Sequence, residues 1–437
     1  MKALGIDVGT TSVSFAVFSE GTGVLETRSF PNKTLVSSES WARLQSPSDV
    51  LTEIHVQLDR LLSCHPDIRA IGVTGQMHGI VYLDAIGEPV SPLYTWQDGR
   101  GDLPYDGAAS WAQHLSQTTT YPLSTGYGMV THFYNLRHGL VPENAAYLCC
   151  IGDYIAMKLA GLSAPLMEPS NAAGIGLYKL QEGCFDAEAL RQAGIDGKIL
   201  PQIIKRPLLG TGALGVPVYA AIGDNQAAFW GAVGKRQDTL SINVGTGSQI
   251  AVYSREYLAV PGLETRPFPG GGWLLVGAAL CGGRSYALLE SFFRQTVKMV
   301  TGLDACVYDA MNRALDEAGA IEDVPLAVTT FQGTRQDPAL RGSISGIGTD
   351  NFTPIHFMHS VLHGMARELR NMYDLYTAAT GDNKASLVGS GNGLRKNPHL
   401  LHALEDVFER PVCLSPWAEE AACGAALYAA AQENAVN

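Results

Sequence analysis

Leu4-Gly-Ile-Asp-Val-Gly-Thr-Thr-Ser12 is echoed further along the chain by Leu240-Ser-Ile-Asn-Val-Gly-Thr-Gly-Ser248. In each stretch an apolar, β-branched run enters a Gly-Thr turn of small polar residues. A second apolar run follows, Val13 to Phe18 in one copy and Gln249 to Tyr253 in the other. This pattern predicts a β-hairpin with a glycine-bearing turn. Its repetition in register predicts two similar domains. Bare backbone N–H groups and small hydroxyls suit phosphate oxygens, because no bulky side chain keeps the anion away. The functional reading is a nucleotide-phosphate clamp with one turn per domain. The alternative is two unrelated hairpins whose turns share Gly and Thr.

The chain has 437 residues, a length suited to two or three domains with sizeable cores. Its 46% hydrophobic and 16% charged residues are those of a globular protein, not a disordered one. A formal net charge of −12 argues against broad nucleic-acid binding, which needs a basic footprint, but leaves room for a local nest of phosphate donors. No apolar run approaches a membrane span, and Asp7 interrupts any N-terminal export signal. The eight cysteines show neither a Cys-x-x-Cys pair nor zinc spacing, and are expected to be reduced thiols in a cytoplasmic protein.

Outward from the first hairpin, Ser48 to Leu62 carries Leu51, Ile54, Leu58, Leu61 and Leu62 at helical spacing. Ala70 to Val73 reads as a short buried strand that opens onto Gly75-Gln-Met-His-Gly79. Ligands of open α/β sheets sit beyond the carboxyl ends of strands, so Gln76, Met77 and His78 are candidates for polar contacts. His78 could equally be a satisfied structural histidine. In Trp96-Gln-Asp-Gly-Arg100 the alternation would place Trp96, Asp98 and Arg100 on one face of an extended segment. An aromatic plane, a carboxylate and a guanidinium together suit a polyol; Asp98 and Arg100 could also be a structural ion pair. Ser124 to Gly128 is a glycine-rich turn before a helix, and Pro165 to Gly176 is expected to be loop.

The apolar run Tyr219 to Ile222 enters Gly223-Asp-Asn225 and then a small-residue helix. A carboxylate at such a corner is held by rigid backbone. Asp224 is either a helix N-cap or a cleft-facing acid. Thr353 and Pro354 start a long amphipathic helix. The strand Ala385 to Val388 opens onto Gly389-Ser-Gly-Asn-Gly393, and Asn397-Pro398 starts another helix, an arrangement suited to a nucleotide. It is not the Gly-x-Gly-x-x-Gly dinucleotide fingerprint. The last segment, Glu419 to Ala431, is a small-residue helix able to approach a sheet closely.

Taken in order, Gly5 to Ser12, Gly75 to Gly79, Trp96 to Arg100, Gly223 to Asn225, Gly245 to Gly247 and Gly389 to Gly391 resemble the motifs of the FGGY carbohydrate kinases over essentially the whole chain. The segments Ser124 to Gly128, Ile151 to Tyr154 and Gly161 to Asn171 are most similar to the sedoheptulokinase branch, with the xylulokinase branch next. The resemblance implies an α/β fold of two actin-like ATPase (ribonuclease H-like) domains, 1–222 and 223–437, with a cleft between them. The first would bind sugar and carry the first phosphate hairpin; the second would carry the other hairpin and the adenosine site. It implies ATP and Mg²⁺ as cofactors and a small-molecule ketose as substrate, sedoheptulose before a pentulose.

By the same resemblance Asp224 is the catalytic base and Asp7 the Mg²⁺ carboxylate. Gln76, Met77, His78, Trp96, Asp98, Arg100 and Asn225 would bind sugar. Thr10, Thr11, Ser12, Gly245, Thr246 and Gly247 would bind phosphate, and Gly391, Asn392 and Asn397 adenosine. One position departs from the pattern: Ser14 stands where the family usually has Lys or Arg, a charge that a residue such as Arg335 could replace. An ATP-driven binding switch of the actin or chaperone type is the reading of another class. The polyol-like cluster speaks against it.

Overall fold

β-branched and aromatic residues on either side of the Gly-Thr turn favour extended backbone, and the turn lets the chain reverse. In the computed structural model, Lys2–Val8 and Ser12–Ser19 accordingly pair antiparallel, with Asp7 opposite Ser14. Thr239–Val244 and Ser248–Ser254 do the same. The structure describes residues 1–437 apart from positions 108, 235, 320, 335, 336, 338 and 437, so Arg335 lies outside the described residues.

The chain forms two units. One comprises Met1–Gly234, Arg266–Gly272 and Glu419–Asn437; the other comprises Lys235–Thr265 and Trp273–Ala418. In the first, the hairpin is flanked by Gly23–Pro31 on one side and by the parallel strand Ile68–Gly75 on the other, with Val218–Tyr219 beyond it. In the second, Trp273–Ala279 flanks its hairpin, and Ser386–Ser390 and then Val412–Leu414 run parallel to it. The two sheets thus share a strand order as well as a hairpin, so the sequence echo is the centre of a structural repeat.

Each sheet buries its own core. Leu4, Ile6, Val8, Phe15, Ile54, Leu58, Ile71 and Val73 belong to the first. Leu240, Ile242, Val244, Val361, Leu362, Leu369 and Leu404 belong to the second. The helix Pro47–Cys64 starts on a Ser46 cap with Pro47 in its first turn and buries Val50, Ile54, Leu58 and Leu61. The long helix Pro354–Thr380 begins at a Thr353 cap, as expected. Among the described residues no helix is long and apolar enough to cross a membrane.

Helix Glu420–Val436 lies against the first sheet at backbone contact distance. A Cβ on Gly5 would stand 1.8 Å from the carbonyl oxygen of Ala422, and one on Gly72 would stand 1.9 Å from that of Ala425. The small-residue composition of this helix is what permits the approach.

Two sequence expectations are corrected. Pro165 to Gly176 is not loop: Pro169–Ile175 is a short helix, with Glu168 accepting from the Ser170 N–H as its cap and Pro169 pre-set for its first turn. Trp96 to Arg100 is not extended either. It is a turn running into the 3₁₀ helix Gly99–Asp102, so the alternation does not gather Trp96, Asp98 and Arg100 on one face.

Candidate active site

In the first unit the Gly9-Thr10-Thr11 turn is held by side chains from distant segments. Asn32 Nδ2 donates to Gly9 O at 2.9 Å, Gln45 Nε2 to Thr10 O at 2.6 Å, and Trp96 Nε1 to Thr10 Oγ1 at 2.9 Å. Thr10 Oγ1 donates to Gln76 Oε1 at 3.3 Å, and Gln76 Nε2 to Gln45 Oε1 at 2.8 Å. The structure therefore brings together Thr10, Gln76 and Trp96, three residues singled out from separate motifs. It adds Asn32 and Gln45, which no motif marked. Trp96 is the exposed member, at 43%, and presents its ring to solvent. Thr11 is exposed and Ser12 half-buried.

Asp7 is the penultimate residue of strand Lys2–Val8, and its Oδ1 is buried with no hydrogen-bond partner. Burial foremost, then the negative charges of Asp224 and Glu419, push its carboxyl up to about 8. Asp224 is the first residue of helix Asp224–Ala232, whose cap is Gly223. Its Oδ1 accepts from Asn225 N at 2.7 Å. Burial raises its carboxyl, against the Asn225 N–H and the positive charge of Arg266. Arg266 went unnoticed in the sequence because it lies in a segment without a motif. Ser14, opposite Asp7, is buried and donates to Ser29 Oγ at 3.3 Å.

An orphaned carboxylate oxygen repelled by two other acids is suited to a divalent cation. Mg²⁺ binds through one or two carboxylates, keeping waters and substrate phosphates as its other ligands. The residues present fit that ion in that mode. Among the described residues no group of three or more His, Cys, Asp or Glu side chains could cage a metal.

Met77 is buried, and Cβ atoms built on Gly174 and Gly223 would crowd its thioether at 2.8 and 2.7 Å. His78 has φ +73°, a left-handed backbone that costs a non-glycine residue about 1–3 kcal/mol and persists where the surroundings over-determine it. Its ring packs on Tyr127 at 4.5 Å, and Nδ1 hydrogen-bonds Gly174 O. Asp98 is fully buried: Oδ1 accepts from Arg100 Nε at 2.6 Å and Arg100 N at 3.2 Å, Oδ2 from Arg43 N at 3.1 Å and Arg100 Nη2 at 3.3 Å. Arg100 lies over Tyr94 at 4.2 Å and Trp41 at 5.3 Å. Asp98 and Arg100 form the structural ion pair that was one of the two readings of the segment. They hold the turn that carries Trp96.

Behind Asp224 lie two buried acids that sequence reasoning did not mark. Burial pushes Glu168 up to about 7, against hydrogen bonds from Ser170, and Asp153 up to about 7, against bonds from Asn171 and Cys150. A carboxyl whose folded pKa is raised binds its proton more tightly when folded. The stability linked to it is full below the unfolded pKa near 4.5 and is lost as pH rises through about 7. For Glu168 this amounts to about 3 kcal/mol. Urea denaturation of wild type and Glu168→Gln at pH 5 and pH 8.5 should show the wild type losing stability relative to the variant at the higher pH. Parallel profiles would mean that Glu168 titrates normally.

In the second unit, Gly245 N donates to Gly247 O at 2.9 Å, closing the turn, and Gly283 N donates to Gly245 O at 2.9 Å. A Cβ on Gly282 would lie 2.2 Å from Gly247 backbone, so glycine lets the start of helix Gly283–Thr301 pack on this turn, where Arg284 N also donates to Thr246 O at 3.2 Å. Thr246 is exposed. Gly391, at φ +87°, packs on Val244 O, and Asn243 Nδ2 donates to Ser390 Oγ at 2.9 Å. Asn392 is exposed in the short helix Asn392–Lys396. Asn397 is buried and caps Pro398–Phe408 by accepting from Leu400 N at 3.1 Å. Gly245 to Gly247 and Gly391 thus gather on one end of the second sheet.

The two hairpin-centred sheets repeat one strand order, and the first carries half-buried acids beside its turn. Residues 2–231 match the N-terminal domain and residues 240–433 the C-terminal domain of the FGGY family of carbohydrate kinases, and the chain belongs to that family. Its fold is the two-domain, actin-like ATPase fold of these kinases, as the motifs implied. A Mus musculus protein named sedoheptulokinase is 29% identical over 471 residues, spanning 97% of this chain and 96% of that protein. A solved xyloylose kinase from Brucella ovis shares the fold with a TM-score of 0.86 at 20% identity, covering 100% of this chain and 91% of that one. Plasmodium falciparum glycerol kinase with ADP does so at 0.81 and 17% identity, covering 99% and 90%.

Proposed function

We propose that this carbohydrate kinase transfers the γ-phosphoryl group of ATP to a ketose, sedoheptulose before D-xylulose or D-ribulose, giving sedoheptulose 7-phosphate. Asp224 takes the proton of the acceptor hydroxyl as its oxygen forms a bond to phosphorus and the bridging bond to ADP breaks. The observation that carries this reading is a pair of half-buried acids, Asp224 at the start of a helix whose cap is Gly223 and Asp7 with an orphaned oxygen. In this reading Asp224 acts as base and Asp7 would hold Mg²⁺. Bound Mg²⁺ would neutralise charge on the transferring phosphate.

Thr10, Thr11 and Ser12 in the first unit, and Gly245, Thr246 and Gly247 in the second, offer backbone donors to phosphates. Gly391, Asn392 and Asn397 line the adenosine. Gln76, Met77, His78, Trp96 and Asn225 meet the sugar, with Asp98 and Arg100 setting the turn beneath Trp96. The nucleotide assignment draws on the ADP of the glycerol kinase that shares this fold.

Sedoheptulose is placed first because the mouse relative of that name aligns along nearly the whole chain. The name of the Brucella ovis structure, xyloylose kinase, keeps a pentulose as second reading. A site that hydrogen-bonds the extra hydroxyls of a seven-carbon sugar leaves polar groups unpaired with a shorter one, at about 1–3 kcal/mol per defect. In an ADP-release assay over a ketose panel, kcat/KM for sedoheptulose should exceed that for D-xylulose and D-ribulose by at least about tenfold. A pentulose with the higher value would leave the kinase intact and overturn the choice of sugar. ADP release that no sugar stimulates would favour the binding switch.

A further inference from the structure

The strand that delivers Asp224 is only Ile222–Gly223, paired with the end of Ile68–Gly75. A ladder this short cannot by itself fix a side chain to a fraction of an ångström. Three side chains take over the task. Asn171 Nδ2 donates to Ala221 O at 3.2 Å, Thr74 Oγ1 to Ile222 O at 2.8 Å, and Gly223 N donates to Ser170 Oγ at 3.0 Å. Three successive residues before Asp224 are each held through a backbone polar group.

The clamp is itself anchored. Ser170 gives its N–H, at 2.7 Å, and its hydroxyl to Glu168 Oε2, which leaves a hydroxyl lone pair for Gly223 N–H. Asn171 Nδ2 also donates to Asp153 Oδ1 at 2.9 Å, while Asp153 Oδ2 accepts from Cys150 N at 3.1 Å. Thr74, Ser170 and Asn171 are at most 2% exposed, so no water competes for these bonds. The same short helix, Pro169–Ile175, reaches the acceptor motif from its other end. Gly174 O bonds His78 Nδ1, and Gly174 packs on Met77.

We infer that helix Pro169–Ile175 is a template that sets the acceptor-contacting Met77–His78 pair and Asp224 in one fixed relation, with Ser170, Asn171 and Thr74 as positioning residues for the base. The inference rests on the reading of Asp224 as base. Its consequence is specific: loss of a clamp bond lowers the chemical step through Asp224 and leaves ground-state binding of sugar and ATP in place. A displacement of about 1 Å at a reacting group can cost on the order of 100-fold in rate.

The test is a mutant cycle in the full-length protein, assayed by ADP release with the best sugar of the panel. Ser170→Ala should lower kcat by about 10- to 100-fold, with both KM values within about threefold of wild type. In an Asp224→Asn background the same change should lower the residual rate by less than about twofold, because residues acting through one group are not additive. Equal losses in the two backgrounds, or an unchanged kcat in Ser170→Ala, would overturn the template. Thr74→Val, which keeps the side-chain volume and removes the donor to Ile222, carries the same cycle if Ser170→Ala does not fold. If Asp224→Asn itself retains the wild-type rate, the base assignment falls and the template with it. A deficient Asp224→Asn beside an unaffected Ser170→Ala overturns the template alone.

Discussion

Asp224→Asn is expected to lower kcat by about 10²- to 10⁴-fold while the protein folds normally and binds sugar almost as before. The asparagine is nearly isosteric, and its oxygen can still accept from Asn225 N, as Asp224 Oδ1 does at 2.7 Å. What is lost is the ability to take a proton from the acceptor hydroxyl. Removing this acid should also ease the repulsion on Asp7, whose carboxyl is raised partly by the charge of Asp224. Stability should therefore hold or rise while the rate collapses, a combination that general damage to the fold would not produce. Steady-state kinetics with a urea titration decides the matter. A variant that keeps more than about a tenth of the wild-type kcat would show that another group is the base.

Gly5→Ala is expected to destabilise the first unit by about 3 kcal/mol or more, the upper range for overpacking a core. The added methyl would lie 1.8 Å from Ala422 O and 2.7 Å from Ala426 N, both backbone atoms of helix Glu420–Val436. Backbone cannot swing aside as a side chain can. Either the helix lifts off the sheet or the strand buckles next to Asp7. The shift should appear as a lower urea midpoint with little change in slope. A loss below about 1 kcal/mol would mean that the helix does not sit on the sheet at this distance.

The last helix shows how composition can announce packing. Ala422, Cys423, Gly424, Ala425 and Ala426 expose little side chain, and Gly424 lets the backbone meet Ala227 O, where a Cβ would be 1.7 Å away. A run of small residues is legible as a close approach, but not which sheet or helix it approaches. The helix Pro169–Ile175 shows the opposite case. Its seven residues are too few for apolar periodicity, so Pro165 to Gly176 read as loop, whereas Pro169 sits in the first turn of a helix capped by Glu168. Trp96 to Arg100 failed for a related reason. Period-two alternation carries meaning only on extended backbone, and here the chain turns into a 3₁₀ helix.

The sequence by itself determined the two hairpins, the doubled domain and the location of Asp7 and Asp224. These depend on local chemistry: β-branched runs prefer extended backbone, a Gly-Thr turn permits reversal, and a strand-to-helix corner displays its first residue. Only the tertiary structure decided which polar side chains meet. Asn32 and Gln45 reach the first turn, and Thr74, Ser170 and Asn171 reach the segment before Asp224, from positions up to 148 residues away. Isolated polar residues leave no periodic trace, because what selects them is the cost of a buried backbone group without a partner, and that cost exists only once the chain has packed.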